Sequence, residues 1–367
     1  PAAFLFARYE FRGKTLLKSA TTLPFVLPTI VVAIGFLSLF GSQGIVNTAL
    51  MELLGLTKPP IEINNSLTII FMAHAFYNYS IVVRIVSALW SNLDHTLEET
   101  ARMLGAGPVT TFCRITLPML LPAIISSAIL AFAFSFTSFG IVLILGGPQF
   151  ATMEVAIFEL TAKLFRLPLA AALSIIQLAF TYLFLLLYAK FQAQSVIPLT
   201  LKPHASAGSG KLIVRDRVFI TGMIIFLLTI LSPLIALLLR AVYFEDGHIS
   251  GQITNLFSNE RGSYFHISPL GIIWNSIRFA LLTVVISTTL GVIAAYFISK
   301  RRKRSRHISD ALFMLPLGVS SITLGFGYIV ALSYPPVDIR GSWVILVIAH
   351  SLIAYPFVIR SILPVLE

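Results

Sequence analysis

Charged residues are scarce in this sequence: Asp, Glu, Lys and Arg make up 11% of its 367 residues, whereas 57% are hydrophobic. Soluble globular domains have about 25% charged residues, so this deficit argues against a soluble domain. Cysteine occurs once, at Cys113, which excludes a disulfide framework within the chain and a cysteine metal cluster. Acidic residues number 15 against 26 basic ones. With a mean hydropathy of +0.91, this surplus indicates the basic cytoplasmic loops of a membrane protein rather than nucleic-acid binding.

Long apolar runs are abundant, and about 20 such residues are enough to cross a bilayer as a helix. We therefore expect an all-α polytopic membrane protein with about eight full transmembrane helices. The predicted spans are 20–41, 66–90, 119–144, 167–191, 217–241, 271–298, 309–332 and 343–364. The chain starts at Pro1 and stops at Glu367 inside an apolar pattern, so we expect a fragment that lacks both ends.

Basic residues alternate between successive loops. The loops at 8–18, 91–116, 190–217 and 300–306 hold 17 of the 26 lysines and arginines, and the four loops between them hold five. By the positive-inside rule the first set of loops is cytoplasmic. The loop that follows the second predicted span is therefore expected on the cytoplasmic side.

An internal repeat is visible in the sequence. MAHAFYNYSIVVR (72–84) matches IAHSLIAYPFVIR (348–360) at an offset of 276, and residues 22–36 resemble residues 314–328. A polar segment rich in Pro, Gly and Ser lies between the two halves and predicts a flexible cytoplasmic linker. The predicted domains are a first bundle, the linker and a truncated second bundle: 1–192, 193–215 and 216–367. Two similar halves around an axis are a common plan for transporters.

The stretch LEETARMLGAGPVTTFCRITLP, residues 97–118, is unusually polar for a segment between two spans. Thr96 and Glu99 have the spacing of a capping box, which predicts a helix that begins near Thr96. Gly105 or Gly107 suits the end of that helix, where a positive φ is common. The residues alone also fit an ordinary interfacial loop with amphipathic helices.

The second part of this stretch predicts another short helix. Pro108 suits its first turn, and Leu117-Pro118 is expected to break it before the third span. In the first helix, Ala101 and Gly105 are four residues apart on one face, which leaves a shallow surface that the backbone of another protein could approach. The whole stretch is thus predicted as a helix, a sharp turn and a second helix.

This spacing resembles the EAA loop of ABC-importer permeases, whose pattern is Glu-Ala-Ala, three residues, Gly, nine residues, Ile, one residue and Leu-Pro. The residues that match it are Glu99, Thr100, Ala101, Gly105, Ile115, Leu117 and Pro118. Thr100 departs from the pattern, because the family has Ala there, and it adds a hydroxyl group. The predicted coupling loop as a whole covers residues 95–118.

The resemblance implies the type I ABC-importer permease fold and a coupling helix that fits a groove on a separate ATPase subunit. Glu99 would be the polar anchor of that interface, and Ala101 and Gly105 would allow close approach. Leu117 and Pro118 would join the loop rigidly to the third span. Three further residues belong to the same expected coupling segment: Arg102, Ala106 and Gly107.

The resemblance also implies partners and location. We expect two ATPase subunits, an extracytoplasmic solute-binding protein and membrane lipid as partners, no nucleic acid, and a place in the bacterial inner membrane. ATP and Mg²⁺ would bind to the ATPase, so this chain would hold no cofactor and would not be an enzyme. The GSGK segment at 208–211 lacks the Ser or Thr and the preceding strand of a phosphate loop.

Two EAA loops fused in tandem resemble the permeases for thiamine and for ferric iron, and a second loop would fall just beyond Glu367. LGGPQFATMEVAIFE (145–159) is similar to a stretch of thiamine permeases. Thiamine is therefore the expected substrate, with ferric iron or another small solute such as a polyamine as the alternative. A rival from another class is a secondary transporter without an ATPase. Its ion coupling would require buried Asp or Glu within a span, and none is expected.

Polar side chains at membrane depth are candidates for the substrate pathway. The four candidates are His74, Ser135, Thr137 and Ser138. Ordinary hydrogen bonding between packed helices is the alternative explanation for such residues. On the outer side, a surface helix is predicted around 153–164, where Glu154 and Glu159 would face a binding protein or solvent.

Overall fold

The computed structural model describes residues 1–195, 214–243, 268–301, 309, 312–316, 319–332 and 341–366. Most of the predicted linker, the GSGK segment and most of the basic loop at 300–306 lie outside these residues. The chain divides into two compact units, Pro1–Thr152 with Leu186–Leu237 and Met153–Leu185 with Leu238–Glu367. The domain boundaries expected from the sequence stay predictions.

The described residues form helices and no strand. The first helices are α1 (Ala2–Arg8), α2 (Lys14–Ala20), α3 (Leu23–Val26), α4 (Thr29–Phe40), α5 (Ile45–Leu54), α6 (Leu67–Ser91), α7 (His95–Met103), α8 (Pro108–Thr111), α9 (Leu117–Phe136) and α10 (Gly140–Leu145). The later ones are α11 (Met153–Phe158), α12 (Leu167–Ser195), α13 (Val214–Ile230), α14 (Ser232–Tyr243), α15 (Pro269–Ser299), α16 (Ser321–Ala331) and α17 (Trp343–Ile362). Two π-helical turns occur, at Phe112–Thr116 and Glu159–Lys163.

Within the described residues, six helices are long and apolar enough to cross a membrane: Thr29–Leu54, Leu67–Ser91, Pro108–Phe136, Leu167–Tyr188, Pro269–Ser299 and Val344–Ile362. A seventh span is obtained if Asp216–Ile230 and Ser232–Arg240, which meet at 53°, are counted together. Pro233 lies at this bend, and its missing N–H group interrupts the helical hydrogen bonds there. The predicted α-helical, multi-pass architecture is confirmed. The eighth predicted span, 309–332, is described only in part and contains the 11-residue helix α16.

The internal repeat is visible in the order of the helices. In the first half, the short helix α3 is followed by a break and then by α4, which begins after Pro28. In the second half, a helical segment at 312–316 is followed by a break and then by α16, which begins after Ser320. The matching sequences therefore form matching interrupted helices.

A hydrophobic core joins α1, the end of α6 and the start of α9. Its buried residues are Ala3, Val86, Leu89, Trp90, Leu93, Leu120 and Ala123. Trp90 lies at its centre, because its ring centroid is 5.2 Å from that of Phe4 and 6.0 Å from that of Phe112. This core fixes the segment that leads into and out of the predicted coupling loop.

In the second unit, α15 packs closely against α17. Buried side chains between them include Ala295, Ile298 and Ile359. The contact is closest at Gly291, where an added Cβ would lie 2.5 Å from Cβ of Val358. Only glycine fits this close approach, as is common between membrane helices.

We expect the Gly291→Ala substitution to lower the free energy of unfolding by about 1–3 kcal/mol, because the added methyl group has to push α15 and α17 apart. Gly327→Ala is the matched control, since Gly327 also lies in a helix but a Cβ there would meet no atom within 4 Å. The control should be neutral or stabilising by up to about 1 kcal/mol. Thermal unfolding of the purified variants in detergent measures both effects. Equal melting temperatures for the two variants would contradict the close packing.

Candidate functional site

Helix α7, the first part of the predicted coupling loop, is capped by Asp94. The Asp94 Oδ1 atom accepts hydrogen bonds from the backbone N–H of Thr96 at 2.9 Å and from the Thr96 hydroxyl at 2.6 Å. The predicted helix start near Thr96 is confirmed, since α7 begins at His95. The capping box at Thr96 was wrong, because the cap is Asp94 and the Thr96 hydroxyl is bonded to it. An aspartate also places a negative charge at the helix N-terminus, where the helix dipole favours it.

The end of α7 is confirmed at Gly105, which has a φ of +86°. The backbone N–H of Ala106 donates to the carbonyl of Ala101, and the N–H of Gly105 donates to the carbonyl of Arg102, both at 3.0 Å. This pair of bonds is the Schellman motif, which requires a residue with positive φ after the helix. Gly107 then caps α8, and the predicted place of Pro108 in the first turn of α8 is confirmed.

The predicted break at Leu117-Pro118 is wrong, because the helix continues through these residues. The helix from Pro108 to Phe136 is a single span of 29 residues. The pattern of its backbone hydrogen bonds changes at the π-helical turn Phe112–Thr116, where the N–H of Leu117 donates to the carbonyl of Phe112. A π-helical turn shifts hydrogen bonds by one residue, and it directly precedes Pro118, which has no N–H to donate. The second part of the coupling loop, from Pro108 onward, therefore belongs to the same helix as the span, whereas α7 is separated from it by the turn at Gly105.

Two neighbouring glutamates in α7 have different surroundings. Glu98 accepts a hydrogen bond from the Thr116 hydroxyl at 2.7 Å and forms an ion pair with Arg8. The side chains of Arg8 and Glu98 are 17% and 14% exposed. Glu99, in contrast, is exposed and free to face a partner. The Glu98 carboxylate thus ties α7 to the end of α1 and to the start of the span.

Sequence reasoning missed Glu98 because the apolar residues of α7 point outward. The exposed apolar side chains of the loop are Leu97, Met103, Leu104, Val109 and Phe112, which are 48%, 88%, 83%, 76% and 40% exposed. The inward face instead carries Glu98 and Ala101, which are three residues apart. An exposed apolar patch of this kind is typical of a protein–protein contact.

Ala101 lies on the inward face of α7. It is only 9% exposed, and the expected close approach of a partner at this residue stays a prediction. Glu99, Thr100, Arg102, Gly105 and Gly107 are exposed, and Ala106 and Ile115 are partly buried. Their roles in coupling stay predictions.

The four predicted pathway residues are not brought together by hydrogen bonds. Asn78 donates to the Ser135 hydroxyl at 2.8 Å, which joins α6 to α9 and is typical of helix packing. The Thr137 hydroxyl donates locally to the carbonyl of Ala133 at 3.1 Å. Among the described residues, neither His74 Nε2 nor the buried Ser138 hydroxyl has a hydrogen-bond partner. The pathway assignment of these residues stays a prediction.

Glu154 is not where the sequence suggested. The expected helix forms as α11, but its first turn is not on the surface, because Glu154 is 0% exposed and Val155 5%. Glu154 is thus a buried acidic residue, which the sequence did not lead us to expect. Its carboxylate accepts hydrogen bonds from Gln177 and Ser320. The expectation that Glu154 faces solvent or a binding protein was therefore wrong, whereas Glu159 is 43% exposed and pairs with Lys163 at 3.1 Å.

No metal or nucleotide site was expected in this chain. Among the described residues, His, Cys, Asp and Glu form no group of three that could hold a metal ion. The GSGK segment lies outside the described part of the chain, so its sequence remains the only observation on it.

Comparisons with known proteins place the first half of the chain in one family of transport proteins. Residues 1–195, just over half of the chain, match the family described as "Binding-protein-dependent transport system inner membrane component". This match includes the whole of the predicted coupling loop and the span continuous with it.

Three relatives illustrate the range of the family. The sulfate transport system permease protein CysT of Escherichia coli (strain K12) is 34% identical over 185 residues, which are 50% of this chain and 65% of that protein. The molybdenum transport system permease protein ModB of Escherichia coli (strain K12) is 38% identical over 138 residues, 38% of this chain and 58% of that protein. The thiamine transport system permease protein ThiP of Brucella suis biovar 1 (strain 1330) is 26% identical over an alignment of 372 positions, which covers 99% of this chain and 64% of that protein. The chain thus spans less than two thirds of the length of each of these relatives.

We expect Glu98→Gln to lower the free energy of unfolding of the permease by about 1–3 kcal/mol, because it removes the carboxylate charge that pairs with the partly buried Arg8 guanidinium. Glu99→Gln is the matched control and should change that free energy by less than about 0.5 kcal/mol, since Glu99 is exposed. Thermal unfolding of both variants in detergent, without any ATPase, measures the difference. A larger loss for the Glu99 variant would contradict the assignment of the two glutamates.

Proposed function

We infer the function of this chain from its family: the chain belongs to the binding-protein-dependent transport system inner membrane components. We propose that it is the multi-pass permease of an ATP-binding-cassette importer and is not itself an enzyme. The observation that carries this proposal is the coupling loop, in which α7 exposes apolar side chains and Glu99, and a short turn connects α7 to the helix that forms the next span.

The proposed mechanism uses the loop as a mechanical link. Two ATPase subunits bind ATP and Mg²⁺, and their closure moves the surface on which α7 rests. Because Glu98 fastens α7 to Arg8 and Thr116, the loop moves together with α1 and the start of α9. Because α8, the π-helical turn and α9 form one helix, that motion reaches the interior of the bundle.

A solute-binding protein on the outer side supplies the substrate in this proposal, and alternating access carries it to the cytoplasm. Thiamine is the favoured substrate, because the relative that transports thiamine aligns with 99% of the chain. The relatives for sulfate and molybdenum align with 50% and 38% of it. Ferric iron, or another small solute such as a polyamine, is the second candidate.

The rival function is secondary transport without an ATPase. The two proposals differ in a simple observation, because an importer permease co-purifies with an ATPase in detergent and a secondary transporter does not. The exposed apolar patch on α7 favours the importer, since a secondary transporter has no need of a docking surface on that loop.

Uptake into proteoliposomes tests the function directly. The full-length permease, reconstituted with its ATPase and its binding protein, should accumulate labelled thiamine only when ATP is supplied. ATP hydrolysis that is stimulated by the binding protein without thiamine uptake would keep the importer and replace the substrate. The absence of any ATPase association would contradict the importer proposal itself.

We expect Gly105→Pro to abolish uptake, because proline cannot adopt the φ of +86° and cannot donate the bond from Gly105 to Arg102. Glu99→Arg should do the same by reversing the charge at the ATPase contact. Gly55→Pro is the matched control, since Gly55 also ends a helix at a positive φ of +65° but lies outside the coupling loop.

All three variants should insert into the membrane in normal amounts, as measured by blotting of membrane fractions. Uptake and stimulated ATP hydrolysis are then compared at equal amounts of permease. Normal uptake by both the Gly105 and the Glu99 variants would sink the coupling assignment, and so would equal loss in the Gly55 control.

A further inference from the structure

One carboxylate in the second unit is fully enclosed. Glu154 is the only Asp, Glu, Lys or Arg that is buried among the residues whose burial the structure describes. Its two carboxylate oxygens accept hydrogen bonds from Gln177 in α12 and Ser320 at the start of α16. The Thr323 hydroxyl adds a bond to Gln177 Oε1 at 3.5 Å. All of these donors are neutral.

The partners of Glu154 lie deep along their helices. Gln177 is ten residues after Leu167, the first residue of α12, which corresponds to roughly 15 Å of helix. The hydrocarbon core of a bilayer is about 30 Å thick, so Gln177 lies near its middle. Ser320 caps the N-terminus of α16, inside the predicted span 309–332, which also places it within the membrane. Glu154 is therefore a carboxylate at the depth of the bilayer centre.

A buried polar stripe on α12 extends from this point. Ser174, Gln177 and Thr181 are 8%, 2% and 2% exposed, and their spacing places them on one face. The other face of the helix is apolar and open, since Ile175 and Phe180 are 68% and 46% exposed. Among the described residues, the Ser174 hydroxyl has no hydrogen-bond partner. The interior thus offers a polar lining with unused hydrogen-bonding capacity beside Glu154.

The N-terminus of α16, together with Glu154, indicates which charge a substrate bound at this polar lining would have. Transporters commonly aim the N-terminus of an interrupted helix at an anionic substrate near the bilayer centre. Here the Ser320 hydroxyl accepts hydrogen bonds from the N–H groups of Ile322 and Thr323 at 3.1 and 3.3 Å and donates a hydrogen bond to Glu154. The chain's own carboxylate thus occupies the position where an anion would bind. An ionisable group retained at such depth is expected to serve the transported species.

We propose that Glu154 is the residue of the translocation pathway that selects a positively charged substrate, an organic or metal cation. In the state described by the structure, Gln177 and Ser320 hold the carboxylate. When the pathway opens, the carboxylate exchanges these neutral donors for the positive group of the substrate, and it repels anions. This inference rests on the proposed importer function and narrows its substrate class.

The test compares Glu154→Gln with the wild type in proteoliposomes that contain the full-length permease, its ATPase and its binding protein. The amide keeps the shape and the hydrogen bonds of Glu154 but removes the charge, so we expect labelled thiamine uptake to fall at least tenfold. Glu52→Gln is the matched control on an exposed helix position and should stay within twofold of the wild type. A purely structural role for Glu154 predicts that the amide retains uptake, and uptake within twofold of the wild type would overturn the inference.

The exchange variant Glu154→Gln/Gln177→Glu moves the carboxylate to the other side of the same hydrogen bond. It should restore uptake to at least one third of the wild-type rate. If Glu154→Gln does not fold, the exchange variant by itself tests the inference. Retained uptake by the exchange variant supports the inference, and lost uptake overturns it.

A panel of thiamine, ferric iron, sulfate and molybdate separates this inference from the proposed function. Wild-type uptake of ferric iron instead of thiamine would replace the proposed substrate and support a cation-selecting carboxylate. Wild-type uptake of sulfate or molybdate alone would overturn the inference while leaving an ATP-driven importer in place.

Discussion

The placement of the coupling loop depends on the contact of one carboxylate, that of Glu98, with Arg8 and Thr116. Helix α7 has nine residues, and a helix of that length is not stable alone in water. Its two large apolar side chains, Leu97 and Met103, are exposed, and Ala101 is its buried apolar side chain, so hydrophobic burial contributes little to holding α7 on the bundle. The polar contacts of Glu98 therefore hold α7 on the bundle. Because the inner face is held by an ion pair and a hydrogen bond, the outer face can remain apolar and exposed.

Much of the fold follows from local features of the sequence. Apolar runs and alternating basic loops predicted the spans, and the turn at Gly105 was predictable because a helix end with positive φ favours glycine. The continuous helix through Pro118 was not predictable in this way. A proline normally interrupts a helix, and only the geometry of the preceding π-helical turn shows how the interruption is absorbed.

The candidate site was less predictable, since its decisive partners are distant in sequence. Glu154 bonds to residues 23 and 166 positions away, and Glu98 pairs with a residue 90 positions away. Local periodicity contains no information on such partners, and in α7 it pointed to the wrong face. Three glutamates thus have three different environments: Glu98 is paired with Arg8, Glu99 is exposed and Glu154 is fully buried.

The unbroken helix from Pro108 to Phe136 has one further consequence. It is 29 residues long, or roughly 43 Å, and one helix joins its two ends, with Pro122 in its interior. In the proposed importer, a displacement of the cytoplasmic end that reaches the far end couples nucleotide binding in the ATPase to the outer mouth, and the reverse also holds. Linkage between two sites is reciprocal in free energy. Delivery of substrate at the outer mouth of the permease would then change the affinity of the two ATPase subunits for nucleotide. The same helix would thus couple the two sites in both directions.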